Sequence, residues 1–268
     1  MKWKKLLALG MAAVMTAAFV SGCGGQKAAD SGSGSGDKGK IIVGLDDNFP
    51  PMGFKDENNE ITGFDVDLAK EASKRLGREV EFKAIDWSSK EAELKSGRVN
   101  VLWNGLDITE KRKENMLFSD PYMDNRQILF VKKGRTDITD EKRLAGNVVG
   151  TQSASTAEEY MDKTEFFKKD VKEVKKYSDF VTAFMDLENG RVDAVVGDEI
   201  VGRYYMSKHP DTIDAVDVAV GPVSEFGIAF AKDNTALRDD VQKVLNEMKA
   251  DGTIAKISEK WFGKDITK

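Results

Sequence analysis

The 268-residue chain has little of what most metal and redox sites require, with one cysteine, Cys23, and one histidine, His209. A single cysteine excludes an intrachain disulfide framework and a thiolate metal cluster. A single histidine argues against multi-histidine metal sites and most catalytic triads. The sequence therefore favours a binding protein, or an enzyme with other catalytic groups.

The chain also lacks an excess of positive charge, since 41 Lys and Arg face 46 Asp and Glu for a net charge of −5. Residues 1–22 hold three lysines and no acid, so the remainder carries −8. Phosphate backbones and anionic lipid surfaces attract cationic patches. We expect no nucleic-acid partner, and no attachment to a membrane through charge.

Residues 1–22 have the pattern of a bacterial export signal, with three lysines followed by the apolar run 6–20. That run is shorter than the roughly 20 residues that span a bilayer. Residues 20–23, Val-Ser-Gly-Cys, resemble the lipobox of bacterial lipoproteins. The resemblance implies cleavage before Cys23 and acylation of its thiol, including palmitate. The alternative is an ordinary secretory signal followed by an incidental thiol.

The acylated cysteine and residues 24–39, which are mostly Gly, Ser, Ala and charged, form a predicted flexible linker at 23–39. No later segment is apolar for long enough to span a bilayer. We expect an exported protein held at the outer face of the cell membrane by lipid alone.

From Lys40 onward, short β-rich runs alternate with amphipathic helical stretches. This alternation predicts an α/β fold with largely parallel sheets. The predicted strands are 41–43, 80–82, 99–102, 127–131, 148–149, 172–174 and 192–196, and the predicted helices are 65–76, 156–161, 180–187 and 199–208.

One internal repeat indicates two lobes of related build: residues 94–101, LKSGRVNV, match residues 187–194, LENGRVDA. In each copy a helix ends at a glycine, which suits left-handed backbone, and a buried strand follows. Both strands lead into polar turns, at 104–107 and 197–199. Ligands of open α/β sheets bind beyond the carboxyl ends of strands, so a cleft between the lobes is the expected site.

Four segments offer chemistry at such strand ends. Thr109 is the expected cap of a helix that carries Arg112 in its first turn, where a cation needs a carboxylate partner or solvent. Arginine suits a forked contact with a carboxylate. Residues 150–156 form a turn into a helix whose N–H groups make a modest anion site, unless Ser155 is simply its cap.

Asp198, at the end of an apolar strand, suits an ammonium ion or a helix cap. The loop 46–52 adds acids, an aromatic ring and two prolines, and its alternative role is structural. Taken together, the four segments complement the carboxylate and ammonium of an α-amino acid.

The sequence as a whole resembles the extracellular solute-binding proteins of family 3, the amino-acid receptors of ABC importers. The resemblance covers residues 40–263 and lies in the segments 44–54, 63–69, 105–112, 118–122, 149–156, 190–194 and 251–263. It implies a two-lobed, type II periplasmic-binding-protein-like α/β fold with two hinge crossings, near 122–124 and 225–227. Lobe 1 would comprise 40–122 plus 226–268, and lobe 2 would comprise 123–225.

The resemblance also implies a function and a site. The chain would be a monomeric lipoprotein without cofactor or metal that delivers a polar L-amino acid, basic ones included, to ABC permease subunits. Arg112 would hold the α-carboxylate with backbone N–H groups of Asp107 and Thr156, and Asp198 would hold the ammonium with the Gly105 carbonyl. The implied ligand-binding residues are Asp46, Phe49, Trp87, Trp103, Gly105, Asp107, Arg112, Ser155, Thr156 and Asp198, with Phe49 and Trp87 walling the side-chain pocket.

Asp107 departs from the family, which usually has Ser or Thr there. Its carboxylate would either replace a hydroxyl on the ligand ammonium or repel the ligand carboxylate. Together with Asp46 it makes the cleft acidic, which favours a cationic or polar ligand. The alternative function is a cyclohexadienyl dehydratase of the prephenate or arogenate type on the same fold, with Asp107 as the general acid.

Overall fold

The computed structural model describes residues 39–268. The predicted export signal, Cys23 and the linker before Gly39 lie outside the described residues. Within the described part, no helix is long and apolar enough to cross a bilayer.

Residues 39–122 form seven strands and three α-helices. The strands are β1 (Ile41–Leu45), β2 (Asn48–Phe49), β3 (Gly53–Lys55), β4 (Ile61–Thr62), β5 (Val80–Ala84), β6 (Val101–Asp107) and β7 (Met116–Phe118). The helices are α1 (Phe64–Leu76), α2 (Lys90–Lys95) and α3 (Glu110–Asn115).

The rest forms seven strands and six helices. The strands are β8 (Met123–Asn125), β9 (Gln127–Lys132), β10 (Val148–Gln152), β11 (Glu173–Tyr177), β12 (Ala194–Asp198), β13 (Ile213–Ala219) and β14 (Ser224–Ala231). The helices are α4 (Thr156–Lys163), α5 (Glu165–Lys169), α6 (Phe180–Glu188), α7 (Glu199–Lys208), α8 (Thr235–Ala250) and α9 (Thr253–Phe262).

Two larger sheets have the same strand pattern. Sheet 1 has the order β5-β1-β6-β14-β7, sheet 2 has the order β11-β10-β12-β9-β13, and β2-β3-β4 form a small third sheet. We call the bodies built on sheets 1 and 2 lobe 1 and lobe 2. Each sheet is mixed rather than largely parallel, because β14 and β9, which arrive from the other lobe, run antiparallel to β6 and β12.

The predicted repeat is a shared turn at the entrance to β6 and β12. Gly97 and Gly190 have φ of +72° and +70°, the left-handed geometry expected of a helix end. The side chain of Asn100 accepts from Ile42 N at 2.8 Å, and that of Asp193 accepts from Val148 N at 2.8 Å. A polar side chain at the equivalent position therefore ties the start of β6 to β1 and the start of β12 to β10.

Helix α1 shows how local sequence fixes an element. Val66, Leu68, Ala69 and Ala72 are buried on one face, and Gly77 ends the helix at φ +63°. Burial of that face against sheet 1, α8 and α9 supplies the hydrophobic stabilisation that a short helix lacks alone.

The chain passes between the sheets at two paired segments, which we call the hinge. Residues 123–125 of β8 pair antiparallel with residues 224–226 of β14. The C-terminal residue joins this pair, because Lys268 forms ion pairs with Asp124 at 2.8 Å and with Glu225. Residues on the inner side of the hinge, Asn125 and Ser224, reach the site described next.

Candidate functional site

Arg112 is a buried cation of lobe 1 and is held from both lobes. Thr109 caps α3 as predicted, accepting from Arg112 N at 3.2 Å, and the side chain is only 2% exposed. Its Nη1 donates to the Asp107 carbonyl at 3.0 Å, and its Nη2 donates across the cleft to Glu159 Oε1 at 3.1 Å. The buried Nε has no protein partner. The Nε–H of the guanidinium is therefore free for an anion.

Two buried carboxylates meet at the hinge. Asp107 Oδ1 accepts from Asn125 Nδ2 at 2.9 Å and from Ser224 Oγ at 2.6 Å. Asp198 Oδ1, from lobe 2, accepts from the same Asn125 Nδ2 at 2.5 Å and from Gln127 Nε2 at 2.8 Å. One hinge amide thus brings together an acid from each lobe.

These carboxylates are not neutralised by lysine or arginine. Within residues 39–268, neither Asp107 nor Asp198 forms an ion pair, and their partners are neutral amides and a hydroxyl. Burial first, and then the nearby Asp107 carboxylate, raise the pKa of Asp198 to about 7. Asp198 stands at the N-cap position of α7 but makes no capping hydrogen bond, so its alternative role as a helix cap is wrong. The pair favours a cation between the lobes.

Asp46 is a third buried acid and joins the lobes at another point. Its Oδ2 accepts from Gln152 Nε2 of lobe 2 at 2.6 Å, and its Oδ1 accepts from Asn48 N at 2.9 Å. Burial raises the pKa of Asp46 to about 7. Asn48 itself donates to Asp179 of lobe 2 at 2.7 Å. These contacts hold the two lobes closed against each other.

Phe49 and Gly105 pack together beside the cleft. The Phe49 ring lies 6.1 Å from the Phe180 ring of lobe 2. Gly105 has φ +55°, and a Cβ there would come within 2.8 Å of the Phe49 ring. Its N–H donates to Asp65 Oδ2 at 2.7 Å. Only glycine fits this turn, because any side chain would meet both steric crowding and left-handed backbone strain.

The two tryptophans predicted to line the site are both buried but pack in different hydrophobic clusters. Trp103 belongs to the main hydrophobic core, with Phe64 and Val43. Trp87 is also buried but packs with Leu94 in a smaller cluster, and its ring lies 5.0 Å from the Lys90 ammonium. Trp87 therefore borders the cleft through Lys90, whereas Trp103 lies within the core of lobe 1.

The turn before α4 faces Arg112. Ser155 caps the helix by accepting from Glu158 N at 3.1 Å, which is the alternative role that the sequence left open for it, and its ligand-binding role stays a prediction. The Thr156 hydroxyl is buried without a protein partner. The first N–H groups of any helix lack internal acceptors and attract anions. The Arg112 guanidinium and this helix start thus form an anion-binding end of the cleft.

The site consequently has two ends: Arg112 with the α4 turn at one, and Asp107 with Asp198 at the other. Sequence reasoning missed the polar residues that connect them. Asn125 and Ser224 lie in the hinge strands, and Gln127 and Gln152 lie at the start and the end of apolar strands, which was their only signal. Lys90 begins α2 and gave no such signal.

Residues 41–264 match the model of the bacterial extracellular solute-binding proteins, family 3. The chain belongs to that family. It is 34% identical over 260 residues to the L-cystine-binding protein TcyJ of Escherichia coli K12, covering 95% of each chain. It is 35% identical over 269 residues to the arginine-binding extracellular protein ArtP of Bacillus subtilis, covering 97% of this chain and 98% of that one.

Among solved structures, this solute-binding protein is similar to an ancestral arginine-binding protein bound to arginine. The TM-score is 0.80 with 43% identity, covering 85% of this chain and all of the other. The family assignment and the two-lobed fold predicted from the sequence are therefore confirmed.

Proposed function

We propose that the protein captures a polar L-amino acid, basic ones included, between its lobes and delivers it to the permease of an ABC importer. The observation that carries this proposal is the pair of acids from opposite lobes, Asp107 and Asp198, facing a site whose other end holds Arg112. Relatives that bind cystine, arginine and histidine support an amino-acid ligand.

Each end of the site has a role. The α-carboxylate contacts Arg112 and the N–H groups at the start of α4, while the ammonium contacts Asp107 and Asp198. The amino-acid side chain extends past Phe49 toward Asp46, whose buried carboxylate suits a cationic or hydrogen-bonding group. Because each end is completed by groups from both lobes, the amino acid favours the closed state over the open one.

The proposal includes the boundaries and anchoring expected from the sequence. Lobe 1 comprises residues 40–122 plus 226–268, and lobe 2 comprises 123–225, which is consistent with the β8–β14 pairing. Export is directed by residues 1–22, and acylated Cys23 with the linker at 23–39 keeps the protein near its permease. In this proposal the protein acts as a monomer.

We propose further that the site carries out no reaction. The family model and the relatives describe binding proteins, which does not support the dehydratase alternative. Asp107 accepts hydrogen bonds from the neutral donors of Asn125 and Ser224, and its neighbour Asp198 is placed to hold the ligand ammonium. Incubation with prephenate and arogenate should give no product; turnover by the purified protein would contradict this.

A thermal-shift screen tests the function. The twenty amino acids, ornithine, citrulline and cystine are added singly to the purified body, residues 24–268. A ligand that binds the native state raises the Tm by mass action, and 100 times its Kd adds about 2.7 kcal/mol. We expect the largest shift from a polar or basic L-amino acid and none from its D-enantiomer. No shift with any of these compounds would overturn the proposed function.

A further inference from the structure

Lys90 is a buried cation that the roles above do not use. It begins α2 in lobe 1 and is only 3% exposed. Its Nζ donates to the Ala154 carbonyl of lobe 2 at 2.8 Å and to its own lobe's Trp87 carbonyl at 3.3 Å. An ammonium has three N–H donors, so one remains after these two hydrogen bonds.

Lys90 lacks the partner that a buried ammonium normally has. Within residues 39–268 it forms no ion pair with any carboxylate, and its contacts are carbonyl oxygens and the face of the Trp87 ring. Burial of an unpaired charge is unfavourable. Accordingly, burial first and the nearby Arg112 next lower the pKa of Lys90 to about 7. An anion beside Lys90 would relieve both effects.

Lys90 and Arg112 both donate to the turn before α4. Arg112 Nη2 also donates to the Ala154 carbonyl, at 3.4 Å, so the two cations share one acceptor. Ala154 has φ +57°, a left-handed geometry that is unfavourable for alanine, and its N–H donates to the Glu158 carboxylate. The strained turn aims its carbonyl at both cations.

Unsatisfied donors gather around this point. The buried Arg112 Nε and the buried Thr156 hydroxyl have no protein partner, and Thr156 is the first residue of α4, where helix N–H groups lack acceptors within the helix. Glu159 occupies only the Nη2 side of the guanidinium. The Arg112 Nε–H, the Thr156 hydroxyl and the third N–H of Lys90 therefore lack acceptors among residues 39–268. A carboxylate has four lone-pair sites and could accept from all three.

We propose that Lys90 is the second cation of the carboxylate clamp and binds the α-carboxylate of the amino acid together with Arg112. This inference rests on the proposed function and names a specificity-determining residue within it. Its consequence is that the receptor demands a free carboxylate and rejects amides and decarboxylated amines, even those whose side chain fits.

The test compares wild type and Lys90→Met by calorimetry with L-arginine and with L-argininamide, in which a neutral amide replaces the carboxylate. If the thermal-shift screen selects another amino acid, that compound and its α-amide are used. We expect Lys90→Met to weaken binding of the amino acid at least tenfold and binding of the amide less than threefold. Lys95→Met, exposed at the far end of the same helix, is the matched control and should change neither.

A role for Lys90 in closure alone predicts equal losses for both compounds, and this result would overturn the proposal, as would unchanged binding of both. Lys90→Arg retains a cation and should recover part of the affinity if Lys90→Met folds poorly. A crystal structure of the wild-type complex decides the case when the amide binds too weakly: we expect Nζ within about 3.2 Å of a carboxylate oxygen. A separation beyond hydrogen-bond range would refute the proposal. A wild-type protein that binds no amino acid overturns the proposed function instead.

Discussion

Strands β6 and β12 occupy the same position in the sheets of the two lobes, but the segments that follow them differ. Each follows a left-handed glycine, each is tied to its parallel neighbour by Asn100 or Asp193, and each ends at an aspartate on the cleft. Beyond that point lobe 1 continues to a cation, Arg112, whereas lobe 2 starts the helix α7 directly. The scaffold fixes where the strands end, and the following residues determine the chemistry.

The lobes also divide the ligand contacts unequally. Lobe 1 supplies the buried cations Arg112 and Lys90, and lobe 2 contacts them through the Ala154 carbonyl and, for Arg112, through the Glu159 carboxylate. The ammonium end is shared, with Asp107 from lobe 1 and Asp198 from lobe 2. An amino acid therefore gains its full set of contacts only when the lobes are closed, which couples binding to hinge motion.

Removing Arg112 of lobe 1 should have the largest effect on ligand affinity. Arg112→Ala leaves the α-carboxylate without its guanidinium partner and breaks the contact with Glu159. Loss of one partner of a buried, hydrogen-bonded charge pair typically costs about 2–5 kcal/mol, so the Kd should rise at least thirtyfold. Calorimetry with the amino acid selected by the screen measures this.

Arg98→Ala is the matched control for Arg112→Ala. Arg98 lies in the same lobe but is exposed and pairs with Glu93 at 2.8 Å. An exposed pair of this kind contributes about 0–1 kcal/mol to stability and should not alter binding. If both variants bound the amino acid as wild type does, Arg112 would have no role in the site.

The lobe 2 acid should give a smaller, pH-dependent effect. Because the pKa of Asp198 is raised to about 7 and an ammonium needs the charged carboxylate, binding below pH 7 must release a proton. We expect affinity to fall as the pH is lowered from 7.5 to 5.5, by up to about tenfold per unit for each linked proton. Calorimetry across this range measures the slope.

Asp198→Asn should bind more weakly at pH 7.5 and show a flatter pH profile than wild type. Asp46→Asn is the comparison variant, because burial also raises the pKa of Asp46 to about 7. If Asp198→Asn kept the wild-type slope while Asp46→Asn lost it, the linked proton would belong to Asp46 and not to the lobe 2 acid.

Local rules made much of the fold predictable. The glycine that ends α1, the caps Thr109 and Ser155, and the turns at Gly97 and Gly190 all follow from backbone geometry within a few residues. The same rules assigned Arg112 to a first helical turn, where its charge called for a partner.

The connections across the cleft were not predictable in this way. Gln152 and Asp46 are 106 residues apart, and Asn125 and Asp198 are 73 apart. Their contacts depend on how the two lobes close. A single polar residue at a strand end does not specify its partner, so the neutral donors that hold the acids, and the position of Lys90, required the structure.

The smallest expected effect is a change in stability at the repeated turn, where the two lobes have the same backbone geometry. Gly97→Ala and Gly190→Ala place a Cβ at φ of +72° and +70°, with no atom within 4 Å of it in either case. Only backbone strain should act, about 1 kcal/mol for each variant. For a body of this size that corresponds to a fall in Tm of roughly 2–4 °C, measured by scanning calorimetry without ligand.

Equal losses in Gly97→Ala and Gly190→Ala, with unchanged ligand affinity, would show that the repeated turn serves the scaffold of each lobe alone. Gly105→Ala is the contrasting variant, because its φ is also positive but a Cβ there meets the Phe49 ring at 2.8 Å. It should lower both the Tm and the affinity. If Gly97→Ala or Gly190→Ala weakened binding as much as Gly105→Ala does, the separation between scaffold and site drawn from the two lobes would be wrong.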